Sequence, residues 1–151
     1  MNLTYATLTQ ANEYWQARGD LTWENASETA RTGALIRATE WIDANYTFIG
    51  QPASNDQPLA WPRIRAVDRD GRWRDSTEIP REVINATCWV AKEALNAELD
   101  PAQAQSRDIS KVKAGPVEVE WAAGGTTGRR YRHITQMLRV LTRGLLLTRA
   151  R

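Results

Sequence analysis

Pro80-Arg81-Glu82-Val83-Ile84-Asn85-Ala86-Thr87-Cys88-Trp89-Val90-Ala91-Lys92-Glu93-Ala94-Leu95 is the stretch on which the fold turns. Pro80 suits the first turn of a helix, where its missing N–H costs nothing. Val83, Ala86, Val90 and Ala94 recur at helical spacing, with Ile84, Cys88, Ala91 and Leu95 alongside. An apolar sector that wide must be covered on more than one side, which predicts the central helix of a mainly helical domain. Asp100-Pro101 is its predicted end.

Three further helices are expected around it. Thr7 can cap a helix to about Arg18, with Gln10 in the capping-box position and Gly19 as the stop. A second helix starts at Ser27 and runs to Tyr46, with Glu28 complementing its N-terminal dipole. Its stripe of Ala30, Ala34, Ala38, Trp41 and Ile42 is small enough for another helix to approach closely. The last helix, about Arg130 to Arg143, has a narrow stripe of Tyr131, Ile134, Leu138, Leu141 and Leu145, and Gly144 is its expected stop.

Between these helices lie two irregular regions. Residues 47–79 lack a period and contain Gly50, Pro52, Pro58, Pro62 and Asp70-Gly71, so they read as a long loop. Phe48, Ile49, Leu59, Trp61 and Trp73 need something to pack on, which argues that the loop is ordered. Lys111-Val112-Lys113 and Glu118-Val119-Glu120 flank Gly115-Pro116 and predict a small β-hairpin over about 109–122, with opposite charges on its arms. Gly124-Gly125-Thr126-Thr127-Gly128 reads as a connector. The expected organisation is one helical domain over 1–143 and a tail over 144–151, Gly144-Leu145-Leu146-Leu147-Thr148-Arg149-Ala150-Arg151.

Composition narrows the function. A chain of 151 residues, 42% hydrophobic and 25% charged, is one ordinary globular domain. No apolar run is long enough to span a membrane, and Met1-Asn2-Leu3-Thr4 has no secretory pattern. One cysteine, Cys88, excludes an internal disulfide, and one histidine, His133, cannot build a histidine-rich metal site. The net charge of +2 hides an asymmetry: residues 1–60 carry three bases and seven acids, whereas residues 101–151 carry ten bases and three acids. That separation suits head-to-tail contact with a second copy or contact with a polyanion.

Catalytic constellations are missing. Gly124 to Gly128 has the glycine content of a phosphate loop but lacks its Lys-Ser/Thr pair. His133 has no Cys or Asp nearby to complete a triad, and Cys88 sits in an apolar sector where a thiol is usually inert. Asp68, Asp70 and Asp75 are interspersed with Arg65, Arg69, Arg72 and Arg74, which suits a salt-bridged loop better than a calcium loop. The expectation is therefore a non-enzyme with no cofactor and no metal.

Two binding readings arise from the seven tryptophans. Trp61-Pro62-Arg63 and Arg72-Trp73-Arg74 place rings beside guanidinium groups, as in a single-strand groove that stacks bases and neutralises phosphates. The same residues suit subunit contacts, where Trp and Arg are enriched. Acids at 68, 70, 75 and 78 dilute the positive field, so an interface is the better account.

Over residues 33–98 the succession Ala34-Leu35-Ile36-Arg37-Ala38-Thr39-Glu40-Trp41-Ile42-Asp43, Phe48-Ile49-Gly50, Gln57-Pro58-Leu59-Ala60-Trp61-Pro62-Arg63 and Ile79-Pro80 with Val83 resembles the head–tail adaptor (connector) proteins of tailed bacteriophages. That group often carries a DnaT-like, single-stranded-DNA-binding label. Tyr14-Trp15, Arg18-Gly19, Gly115-Pro116-Val117 and the Leu-rich last helix extend the likeness to roughly Tyr5–Leu141. The resemblance implies a four-helix subunit assembling as a ring, typically twelvefold, beneath the portal of a DNA-filled capsid. It implies the portal protein, a head–tail stopper or tail-connector protein and further copies of the chain as partners. Duplex DNA in the lumen would be contacted without sequence readout, and the location would be the virion neck, after assembly in the host cytoplasm. Leu145, Leu146, Leu147, Arg149 and Arg151 would then dock on the portal. Trp61, Pro62, Arg63, Trp73 and Arg74 would serve subunit seams or the loop, and Glu28, Glu40 and Asp43 would face a neighbour's arginines. The alternative is a single-stranded-DNA-binding replication accessory using Trp61, Arg63, Trp73 and Arg74.

Overall fold

The structure, a computed structural model, describes residues 3–97, 99, 109–114, 117–122 and 126–143, and for 109–130 it describes the backbone. Among the described residues, five helices and two small antiparallel sheets run in the order α1 (Leu8–Gln16), α2 (Leu21–Glu24), α3 (Glu28–Asn45), β1 (Gln51–Pro52), β2 (Arg63–Ile64), α4 (Arg81–Asn96), β3 (Ile109–Ala114), β4 (Val117–Ala122) and α5 (Thr126–Leu138). The mainly helical expectation holds, with one helix more than the four expected.

The helix termini obey local chemistry. Thr7 Oγ1 accepts from the Gln10 backbone N–H while the Gln10 side chain accepts from the Thr7 N–H, a complete capping box. Ser27 caps α3 by accepting from the Ala30 N–H. The extra helix, α2, is capped by Asp20, whose carboxylate accepts from the Thr22 and Trp23 N–H groups. Four residues are too few to show a period, and Trp23 is buried beside a Leu21 that is 65% exposed, so no stripe announces α2. Pro80 occupies the N-cap of α4 and Arg81 is the first helical residue, one position later than expected. That helix ends at Asn96; the expected stop, Asp100-Pro101, lies outside the described residues. The last helix starts earlier and ends earlier than its stripe suggests, so Thr126-Thr127-Gly128 is helical instead of connecting.

Central position falls to α4, as its wide apolar sector requires: it packs against α1, α2, α3 and α5. Ala34 and Ala38 of α3 and Ala86, Val90 and Ala91 of α4 are buried, small residues that let backbones come close. Buried Thr39 and Thr87 return their hydroxyls to the carbonyls four residues back, at 2.9 and 2.8 Å, so burial leaves neither hydroxyl unpaired. Buried Ile134, Leu138 and Leu141 complete the core from the α5 side. Cys88 is fully buried, and burial pushes its thiol up to about 12.

Tryptophans of α1 and α4 make a second layer of contacts. Trp15 donates to the Cys88 carbonyl at 3.2 Å, Trp89 donates to the Tyr14 hydroxyl at 2.8 Å, and the Trp15 and Trp89 rings meet edge to face at 5.1 Å. Lys92 lies over the Trp15 ring and pairs with the Asp20 carboxylate, tying α4 to the α2 cap. That ammonium holds Asp20 below its ordinary value of 3.8. The lowered value means the stabilisation is present above pH 3.8 and is lost as pH falls through the folded value.

Residues 47–79 are ordered, as the apolar content predicts. Gly50 adopts φ +73°, and a Cβ there would meet the Ile64 carbonyl oxygen at 2.3 Å. Residues 47–49 also pair with 141–143, through Ile49 N–H to Leu141 O at 2.8 Å and Arg143 N–H to Thr47 O at 3.0 Å. The predicted hairpin is present, and its register places Lys111 opposite Glu120 and Lys113 opposite Glu118.

Gly50→Ala combines a left-handed backbone with a backbone clash, so it should cost at least about 1–3 kcal/mol. Gly19→Ala, at φ +64° with open space around it, should cost about 1 kcal/mol. Urea denaturation of the two variants side by side checks this; equal losses would contradict the packing at Gly50.

Candidate functional site

The residues singled out for binding fall into two groups. Trp61 is 1% exposed and its ring meets Phe48 edge to face at 5.6 Å. It is a core residue of the loop, the second of the two places expected for it, and its ring is enclosed within the subunit. The Trp61-Pro62 bond is cis. Arg63 is half-buried and its guanidinium faces inward: Nε donates to the Ile49 carbonyl at 2.7 Å, while the terminal nitrogens donate to Ala60 and Gly50 carbonyls, each at 3.0 Å. Burial lowers its pKa from the ordinary arginine value, yet it remains a cation.

Magnitudes decide what Arg63 is for. Hydrogen bonds from a charged group contribute about 1.5–3 kcal/mol each. An exposed ion pair contributes about 0–1 kcal/mol. Turning Arg63 outward to a phosphate would give up three of the former for one of the latter. Its role is to hold the loop together.

Asp43 is also engaged internally. One carboxylate oxygen accepts from the Tyr5 hydroxyl and the other from the Ala60 N–H at 3.2 Å. Burial raises Asp43 above the usual carboxylate range, opposed by these two donors and by Arg63. Burial and the facing carboxylate push the Tyr5 hydroxyl far above its usual value, so it stays protonated as the donor. Tyr5 also donates its N–H to Thr39 Oγ1 at 3.2 Å. Asp43 therefore links the N-terminal segment, α3 and the loop within one subunit. Glu28 and Glu40 are exposed on α3, where a neighbour could reach them.

Trp73 is different. It is 74% exposed at the closing end of a tight turn, where it bridges Val67. Asp68 rigidifies that turn by accepting from the Asp70 and Arg72 N–H groups, each at 2.9 Å, and these donors keep its carboxyl below the usual range. Trp73 borders an open cleft of about 510 Å³ that ends at the start of α4. Arg74 does not serve this ring; it turns to Glu82 in a two-point pair at 2.6 and 3.2 Å, with the arginine side chain 19% exposed. Glu82 is a partner that sequence reasoning missed, although an acid in the first turn of a helix was the available signal. The other missed partner, Tyr5, gave none, because nothing in the chain marks a residue 38 positions away from Asp43 as its donor.

The docking residues Leu145, Leu146, Leu147, Arg149 and Arg151 lie outside the described residues. His133 is exposed and meets the Trp89 ring edge to face at 4.8 Å. No cluster that could hold a metal ion occurs among the described residues. No helix among them is long and apolar enough to cross a membrane.

Residues 3–150 match the model of the family described as "Putative DnaT-like ssDNA binding protein". The chain belongs to this DnaT-like family. Membership covers the core, the braced loop, the hairpin and α5 alike, since the match leaves out only residues 1, 2 and 151. No curated protein and no solved structure matches the chain.

Arg63→Lys keeps the charge but loses the fork. It should lower the unfolding free energy by about 2–3 kcal/mol in urea. Trp73→Ala, at an exposed position, should stay within about 0.5 kcal/mol of the parent. A destabilisation of Trp73→Ala equal to that of Arg63→Lys would contradict the assignment of the two side chains.

Proposed function

We propose that this DnaT-like chain is a non-enzymatic assembly module, a head–tail adaptor that joins the portal vertex of a tailed-phage particle as a ring. In this reading it links the DNA-filled capsid to the tail or to the next connector protein. The observation that carries it is the internal use of Trp61, Arg63 and Arg74, three of the four side chains a single-strand groove would need. The succession that resembles the adaptors builds the α3–loop–α4 framework instead of lining a groove. Leu145, Leu146, Leu147, Arg149 and Arg151 are the portal-docking residues of this proposal, and it needs no cofactor. The site of action would be the virion neck, after assembly in the host cytoplasm.

The second reading, a single-stranded-DNA-binding accessory, has the family's description on its side, and that description speaks for it more directly than for the adaptor. The geometry supports it less. Trp73, the exposed member of the four, borders Asp70, Asp75 and Glu78, whose charges repel a phosphate backbone.

Two measurements separate the readings. Titration of the full chain with single-stranded oligonucleotides at low salt should give no saturable change in Trp fluorescence. Quenching that saturates, falls steeply with salt and vanishes in Trp73→Ala would establish the second reading. Deleting Leu145–Arg151 should leave thermal unfolding unchanged and abolish co-sedimentation with portal rings. Attachment of the truncated chain at the parent level would sink the adaptor proposal.

A further inference from the structure

Trp73 is the large hydrophobic side chain that folding leaves most exposed among the described residues, and it stands on a rigid turn. Leaving an indole in water forgoes the favourable free energy that burial of its rings would supply. Nothing in the turn requires it, since Asp68 and the backbone already close the loop. The ring faces an open cleft rather than a flat surface. Asp70, Asp75 and Glu78 on the rim are exposed, and the cleft's arginines are outnumbered by its acids. An exposed aromatic face with carboxylates beside it is complementary to a guanidinium group, through cation–π attraction to the ring and charge-assisted hydrogen bonds to the acids.

The chain carries the matching surface elsewhere. Residues 129–151 hold seven arginines and no acid. Arg132 of α5 and Arg139 just beyond its end are exposed and make no ion pair among the described residues, where the two ion pairs are Arg74–Glu82 and Lys92–Asp20. Neither Arg132 nor Arg139 is among the described residues that line the Trp73 cleft. Among the described residues, each surface offers the charge that the other would complement.

We propose that the Trp73 cleft receives the arginine surface of α5, Arg132 with Arg139, from a second copy of the chain, in a head-to-tail contact. Such a contact joins two different surfaces of one subunit, and it builds a ring where the rotation between copies closes. Trp and Arg are also the side chains most often found at the energetic centre of an interface. The inference deepens the assembly reading by naming its self-contact. It is tested on the purified chain alone, so it can fail while portal binding stands, and portal binding can fail while it stands.

The experiment is sedimentation velocity of the full chain over a range of concentration and salt. The parent should associate with concentration, less so at high salt. Trp73→Ala should weaken association about tenfold, as expected for an aromatic anchor. Glu78→Lys alone and Arg132→Glu with Arg139→Glu alone should each do the same, and all variants should keep the parent's circular dichroism. Mixing the last two should restore pairing, because the intact cleft of one meets the intact arginine surface of the other, and growth should stop at a dimer. A parent that stays monomeric throughout, an undiminished association of Trp73→Ala, or a mixture that fails to pair would each overturn the proposal.

Discussion

A long segment with little regular secondary structure leaves backbone polar groups for side chains to pair, and in residues 47–79 one guanidinium takes three carbonyls. Arg63 takes the carbonyls of Ile49, Gly50 and Ala60 at once, and Gln57 takes those of Leu59 and Pro62. The loop so closed carries Trp61 into the core and hands its other side to Asp43, which returns it to α3 and to Tyr5. The brace also fixes Ile49, whose N–H bonds the Leu141 carbonyl in the strand contact with residues 141–143. Without it, the loop's apolar and aromatic residues would have no defined partners and its carbonyls would be buried unpaired.

Helices with sustained stripes were legible in the sequence, because burial on one face imposes its period on the residue order. The capping box at Thr7 and Gln10, the Ser27 cap and the paired charges of the hairpin were legible for a related reason: each is a contact between near neighbours. Four-residue α2 was not, since a single turn has no period to display. The roles of Arg63, Asp43 and Arg74 were not either. Sequence shows a guanidinium beside a ring, and only the fold shows whether it points to water, to three carbonyls or to Glu82. Tryptophan-arginine neighbours therefore look alike in one dimension and divide in three.

That division separates two uses of the same residue types. Trp15, Trp23 and Trp61 are enclosed, Trp41 and Trp89 are half-enclosed within aromatic clusters, and Trp73 is left out. Cations obey the same partition. Lys92, Arg18 and Arg63 are spent on rings, a carboxylate and carbonyls of their own subunit, while α5 displays arginine to solvent. The slight net charge of the chain is thus the sum of an acid-rich first part, residues 1–60, and a base-rich last part, residues 101–151.

Burial of Cys88 has a practical side. At pH 8, a thiol with a pKa of about 12 is ionised to roughly one part in ten thousand, and the buried sulfur offers a reagent no surface to attack. Because Cys88 is the chain's single cysteine, it is chemically silent toward maleimides and alkylating probes in the folded state. A cysteine introduced at any exposed position can be labelled with a dye or spin probe without first removing the native one. Conversely, the appearance of a reactive thiol in an unmodified sample reports opening of the core around α4, which makes Cys88 an internal gauge of whether that core is closed.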